Sequence, residues 1–198
     1  MSEAQQPPAG GDVHDLDPRS LRGLAHPIRM RLLSTLRHQG PATASQLGER
    51  LGESSGATSY HLRQLATYGF VEDVPELGKG RERWWKAARR GVTFDRSLYT
   101  DVDPETRTAL EVFLQELANS HTRELSTWIG SIGDWPVEWH GAANVSDYTL
   151  RLTPELATEM NAKAHALIES YRDRALPEDA ENVAQVRVHL HALPQTED

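Results

Sequence analysis

The chain has 198 residues, 38% of them apolar, which suits one compact domain or two small ones. It has no cysteine, which excludes disulfides, thiolate redox sensing and cysteine-ligated metal sites, and no apolar run reaches the ~18 to 20 residues of a membrane span. The net charge of −8 is unevenly spread, because residues 19–96 carry 14 Lys and Arg against 7 Asp and Glu whereas residues 97–198 carry 7 against 18; a basic segment suited to a polyanion adjoins an acidic one.

The opening MSEAQQPPAGGDVHD has neither the basic start nor the apolar run of a secretory signal, so a cytoplasmic protein is expected. Residues 1–16, rich in Pro, Gly, Ala and Asp without periodicity, read as a disordered tail. Leu21 and Leu24 suit a short first helix, and His26-Pro27 opens a second, with Ile28, Leu32, Leu33 and Leu36 on its apolar face and Gly40-Pro41 at its end. Thr43-Ala44-Ser45-Gln46 has the spacing of a capping box, starting a third helix with Ala44, Leu47 and Leu51 inward. After Gly52, Ser54 is placed to cap a fourth helix that runs to about Tyr68. Phe70–Val74 and Arg83–Ala87 then read as two strands of a hairpin joined through Gly78-Lys79-Gly80-Arg81. Two short helices, a tight turn and a hairpin make a winged helix-turn-helix over residues 17–96.

Residues 89–100 read as a linker or a weak strand. A long helix is expected from Asp103-Pro104 to about Ile129, with Leu110, Phe113, Leu114, Leu117, His121, Leu125 and Trp128 in one stripe that would serve as a helix-on-helix dimer seam. Residues 130–144 read as an irregular connection. Alternation at Tyr148, Leu150 and Leu152, a helix capped at Thr153-Pro154, and alternation at Val186, Val188 and Leu190 predict a strand–helix–strand unit. The fold class expected is therefore mainly α with a small β component (α+β), the winged domain being followed by a helical or αβ region, residues 101–198, for dimerisation or ligand sensing.

On the fourth helix, Thr58, Leu62, Leu65 and Ala57 fall inward, leaving Ser55, Gly56, Ser59, Tyr60 and Arg63 outward. Small residues and hydroxyls near a helix start allow close approach to base edges, and Arg63 can reach a guanine or a phosphate. Lys79, Arg81 and Arg83 crowd the hairpin tip, where mobile cations suit the phosphate backbone or a minor groove. Of Trp84 and Trp85, which alternate on their strand, one is expected to pack beneath the wing.

The runs LAHPIRMRLLSTL, TASQLGERLGES, GATSYHLRQLATYGFVED and GKGRERWW, in this order over about residues 18–90, resemble the ArsR-type winged helix-turn-helix family, in particular a branch with a YHLRQL recognition helix and a GRERWW wing. The resemblance implies a homodimeric regulator on a two-fold symmetric double-stranded DNA site, with Ser55, Gly56, Ser59, Tyr60 and Arg63 in the groove, Arg81 and Arg83 on the wing, and His61 in helix packing or backbone contact. Paired recognition helices of that kind sit roughly 34 Å apart, one turn of DNA. The family's thiolate metal sites need cysteines that are missing here, and its site on the helix after the wing is incomplete, since His121 and Glu124 are present but Leu110 stands where a partner histidine is expected.

No cofactor and no metal are therefore expected; His165, His189 and His191 are weak metal candidates, better read as solvent-facing. Trp128, Trp135, Trp139, Tyr148 and Tyr171 form a candidate pocket for a small apolar or aromatic effector, although the same rings suit an ordinary core. No HExxH, nucleophile elbow or phosphate loop is present, so an enzyme is not expected. A DNA-binding regulator, a repressor by expectation, gated by such a ligand is one reading; the alternative is a DNA-binding module whose C-terminal half docks a protein partner.

Overall fold

Asp17 starts the helical part of the fold by a reciprocal cap: its carboxylate accepts from the Ser20 amide at 2.6 Å while Ser20 Oγ accepts from the Asp17 amide at 2.9 Å. The structure, a computed structural model, describes residues 13–78, 82–94, 97–100, 103–172, 174–177 and 180–195. Helix α1 (Pro18–Leu24) leads into α2 (Pro27–Gln39), α3 (Ala44–Leu51) and α4 (Ser55–Thr67). The capping box at Thr43 forms as its spacing requires: the Gln46 amide donates to Thr43 Oγ1 and the Gln46 side chain accepts from the Thr43 amide at 2.9 Å. Gly52, in the left-handed region at φ 71°, ends α3 and lets the chain turn within three residues into α4. Leu21, Leu24, Leu32, Leu33, Leu47, Leu62 and Leu65 close the core between these helices, with Phe70 beneath them.

The wing is a three-stranded antiparallel sheet in the order β2 (Ala42–Thr43), β4 (Trp84–Ala87), β3 (Val71–Asp73). Val71 pairs with Ala87 and Asp73 with Trp85, giving the expected hairpin; Ala42 pairs with Trp85 on the other edge, an addition that two residues are too few to announce by alternation. Trp85 is the buried tryptophan of the pair and Trp84 is half-buried.

One expectation for the edges of this unit is corrected and one alternative is decided. Residues 13–16 are not tail but strand β1 (Val13–Leu16), parallel to β5 (Gly91–Phe94) in the segment read as a linker or a weak strand. Leu16 is buried, the His14 ring lies 4.4 Å from that of Phe70, and Arg37 donates to the carbonyls of Arg89 and Gly91 at 3.1 and 3.0 Å, so long-range partners and not local pattern make this small sheet. A short helix α5 (Ser97–Thr100) buries Leu98 against the core.

Helix α6 (Pro104–Ser131) begins where Asp103 accepts from the amide and hydroxyl of Thr106, and Arg22 of α1 donates to both Asp103 and Thr106. Ala109, Leu110 and Phe113 then join the core. The chain divides into two compact units between Ser126 and Thr127, so the first turns of α6 belong with the winged domain and not, as the composition change near residue 97 suggested, with the acidic C-terminal part. In the second unit the connection after α6 folds into a 3-10 turn (Ile132–Asp134) and α7 (Val137–Ala142), followed by α8 (Pro154–Arg172). The strands expected at residues 148–152 and 186–190 do not form: neither segment is assigned to a strand. Their alternation supplies apolar residues, but Val186 and Val188 remain 65% and 61% exposed, and a strand without a paired neighbour leaves its backbone groups to water.

Candidate nucleic-acid interface

The α3–turn–α4 unit decides what α4 presents. Ser54 Oγ accepts from the Ala57 amide at 3.2 Å, and the Glu53 amide donates to the Gly48 carbonyl at 2.8 Å, which clamps the turn. With Thr58, Leu62 and Leu65 fully buried, helical spacing turns Ser55, Gly56, Tyr60 and Arg63 to solvent, all of them exposed, and leaves Ser59 half-buried. Gly56 has nothing within 4 Å of the position a Cβ would take. The outward face is thus small at its start and carries a cation about two turns later.

Between this face and the wing lies a cleft of about 290 Å³, lined by Ser45 of α3, Ser59 and Arg63 of α4, and Glu82, Arg83 and Trp85 at the wing. Ser45 is an addition to the sequence reading; its exposed position at the start of α3 follows from the capping box, which puts Ala44 and Leu47 inward. Lys79 and Arg81 lie outside the described residues. Arg83 is held at the base of the wing: its Nε is 3.0 Å from the Asp73 carboxylate and its guanidinium lies 5.4 Å from the Trp85 ring. Lys86 is paired with Glu72 at 3.0 Å on the neighbouring strand. Cations at the wing base are therefore positioned by cross-strand acids, and exposed pairs of this kind are worth only ~0.2 to 1 kcal/mol, so both side chains can exchange partners readily.

On the flank of α4 next to Tyr60, the His61 ring stands 4.6 Å from that of His26 at the start of α2, and its contact with Tyr60 is edge-on at 5.2 Å. Burial lowers the pKa of His26, and His61 and Arg29 lower it further; burial and then Arg29 do the same for His61. His26, which also serves as the N-cap residue of α2, makes no side-chain cap bond there.

The candidate effector rings differ in exposure. Trp135 and Trp139 meet edge to face at 6.0 Å, and Trp128 is half-buried, but Tyr148 and Tyr171 are 80% and 57% exposed, Tyr171 carrying the Arg174 guanidinium 4.7 Å from its ring centre. Among the described residues no three His, Asp or Glu side chains come together as a metal site; His165 and His191 are exposed and His189 is half-buried. Among the described residues, too, no helix is long and apolar enough to cross a membrane.

Residues 24–74, from the end of α1 through β3, match the family model of a helix-turn-helix domain. Among solved structures, the chain is similar to the homodimeric winged helix-turn-helix DNA-binding domain of a possible ArsR-family transcriptional regulator from Mycobacterium bovis, with 20% identity, 61% of this chain and 93% of that one covered, and a TM-score of 0.33. It is also similar to a protein of Mycobacterium tuberculosis (13% identity, 79% and 82% covered, TM-score 0.30). A third match is to ZitR of Lactococcus lactis in an apo form (14% identity, 77% and 87% covered, TM-score 0.31). No curated protein matches the chain.

Proposed function

We propose that the chain is an ArsR-type transcription regulator, a repressor acting as a homodimer, whose α4 enters the major groove of double-stranded DNA while the wing follows the backbone. The observation that carries this reading is the outward face of α4, where Ser55, Gly56, Tyr60 and Arg63 are exposed beside a wing cleft, in the one strongly basic segment of an acidic chain. Base edges are read by Arg63, Tyr60 and the hydroxyls; Lys79, Arg81 and Arg83 supply backbone contacts. Selection of bound genomic fragments identifies the operator. Arg63→Ala with Tyr60→Ala is then expected to abolish the preference for that operator over random duplex while the fold is kept, and retention of the full preference overturns this reading face.

For the second unit, the exposure of Tyr148 and Tyr171 favours a surface over an apolar pocket, so its acidic residues and exposed aliphatics serve protein docking, first of all with a second copy of the chain. Gating by a small apolar ligand would require these rings to be brought together in that assembly.

A further inference from the structure

Three half-buried side chains of the winged domain carry polar atoms for which the proposed reading gives no role. His26 Nδ1, Arg29 Nε and His61 Nδ1 are all buried without a hydrogen-bond partner. The His26 ring at the start of α2 stands against the His61 ring of α4, Tyr60 touches His61, and the Arg29 charge acts on both imidazoles. An orphaned polar atom in a protein interior is costly, and native folds leave very few. Arg29 Nε–H can only donate, and an imidazole can donate from either nitrogen once protonated. A single group that accepts hydrogen bonds and tolerates positive charge would satisfy Arg29 Nε and both imidazoles in their protonated form. That is the chemistry of an oxyanion, and the first turn of α2, where the His26 side chain makes no cap, adds a favourable helix end.

The surrounding charges agree. The groups facing the two imidazoles are Arg29 on α2, Tyr60 on α4 and Glu53 in the turn before it, while Tyr68, just beyond α4, faces Arg29. Glu53, the one carboxylate among them, has Arg31 at 3.9 Å, and Arg19 of α1 lies 5.9 Å from the Tyr68 ring. Cations outnumber the single acid, so each proton added to the pair is opposed until an anion arrives.

We infer that His26, Arg29 and His61 form an oxyanion clamp that grips one phosphate of the DNA backbone at the flank of α4 and takes up a proton as it does so. This rests on the DNA-binding reading above and adds to it a fixed anchor that is independent of base sequence and strengthens as pH falls. The lowered histidine pKa values of the free protein agree with it, since burial and the Arg29 charge favour the neutral imidazoles until an anion offsets them. A phosphodiester keeps one charge over the whole range, so the proton linkage belongs to the protein.

The test uses the full chain and a random-sequence duplex of about thirty base pairs, with affinity read by fluorescence anisotropy at constant ionic strength between about pH 5.5 and 8. Wild-type affinity is expected to rise about tenfold per pH unit for each proton taken up as pH falls through the histidine range. His26→Gln with His61→Gln should flatten that rise, and Arg29→Gln should lower the salt slope by about one; a double histidine variant that melts like the wild type yet keeps the full pH dependence overturns the clamp. A second arm needs no variant: the imidazole pKa values of both histidines are followed by NMR in the wild type, with duplex and with sulfate. A rise of both with duplex alone identifies the backbone phosphate as the ligand, a rise with both probes a general oxyanion site, and a rise with neither overturns the proposal. A wild-type chain that binds no duplex at any pH sinks the DNA-binding reading instead; the sulfate titration then decides the oxyanion site by itself.

Discussion

Two glycines, Gly48 and Gly56, separate the fold of the helix-turn-helix from its reading face. A Cβ on Gly48 would lie 2.7 Å from the carbonyl oxygen of Glu53 and 3.3 Å from Thr58 Oγ1; at Gly56 it would meet nothing within 4 Å. In helical backbone, alanine gains up to ~1 kcal/mol over glycine, and less at Gly56, which lies in the first turn. For Gly48→Ala the contact is with a main-chain atom that cannot rotate away, in the turn that the Glu53 amide fastens to the Gly48 carbonyl. Overpacking of that kind costs ~1 to 3 kcal/mol. The clash wins, leaving a net loss on the order of 1 kcal/mol, or a fall of about 2 to 4 °C in Tm for a chain of this size. Gly56→Ala should melt at or slightly above the wild-type temperature. Its effect appears on DNA: a methyl group where the helix approaches base edges has no room, and a loss of about 1 to 2 kcal/mol weakens operator binding some five- to thirtyfold. Thermal unfolding and anisotropy on the selected operator measure the two quantities. Unchanged operator affinity in Gly56→Ala refutes the close approach, and a Gly48→Ala chain as stable as the wild type refutes the packing argument for the turn.

Stability should also fall in mild acid. His14, His26 and His61 all have pKa values lowered below 6.5, with burial the leading cause, so below that value the unfolded chain binds more protons than the folded one and stability drops as pH falls towards the folded values. Urea unfolding at about pH 7.5 and 5.5 measures the drop, which His26→Gln with His61→Gln should diminish; equal stability at both values contradicts the assigned burial. A homodimer makes a further demand, since anything that binds only the folded chain raises its apparent stability with concentration. Tm should rise over a hundredfold range of protein concentration, in step with a doubling of mass by light scattering, and a concentration-independent Tm with a monomeric mass refutes the dimer.

The parts of the fold legible in the sequence are those decided within a few residues. The Thr43–Gln46 box, the Ser54 cap and the 3.6-residue stripes of α2 to α4 each follow from local hydrogen bonding and helical geometry, so the outward set on α4 could be named in advance. The illegible parts depend on distant partners. Strands β1 and β2 are four and two residues long and exist because β5 and β4 run beside them. Alternation at residues 148–152 and 186–190 announces strands for which the described residues supply no pairing. The polar cluster at the flank of α4 was half visible: His61 stood in the expected helix, but nothing local ties it to His26 and Arg29 more than thirty residues earlier.

The stripe on α6 shows why a periodic pattern identifies a helix better than it identifies what the helix meets. Its first part is already used, because Leu110 and Phe113 are 6% and 3% exposed within the winged domain's own core. Further along, Leu125 and Ile129 are 41% and 56% exposed on the same 28-residue helix. A dimer seam drawn from the whole stripe would have to remove Leu110 and Phe113 from a core that also holds Leu21 and Leu24, and exposing one large core side chain costs about 1.5 to 3 kcal/mol. A seam limited to the C-terminal turns costs nothing of the kind and covers apolar surface otherwise left in water. If the proposed homodimer forms through α6, Leu125→Ala should lower the mass read by light scattering, whereas substitutions at Leu110 and Phe113 should act first on the thermal stability of the winged domain.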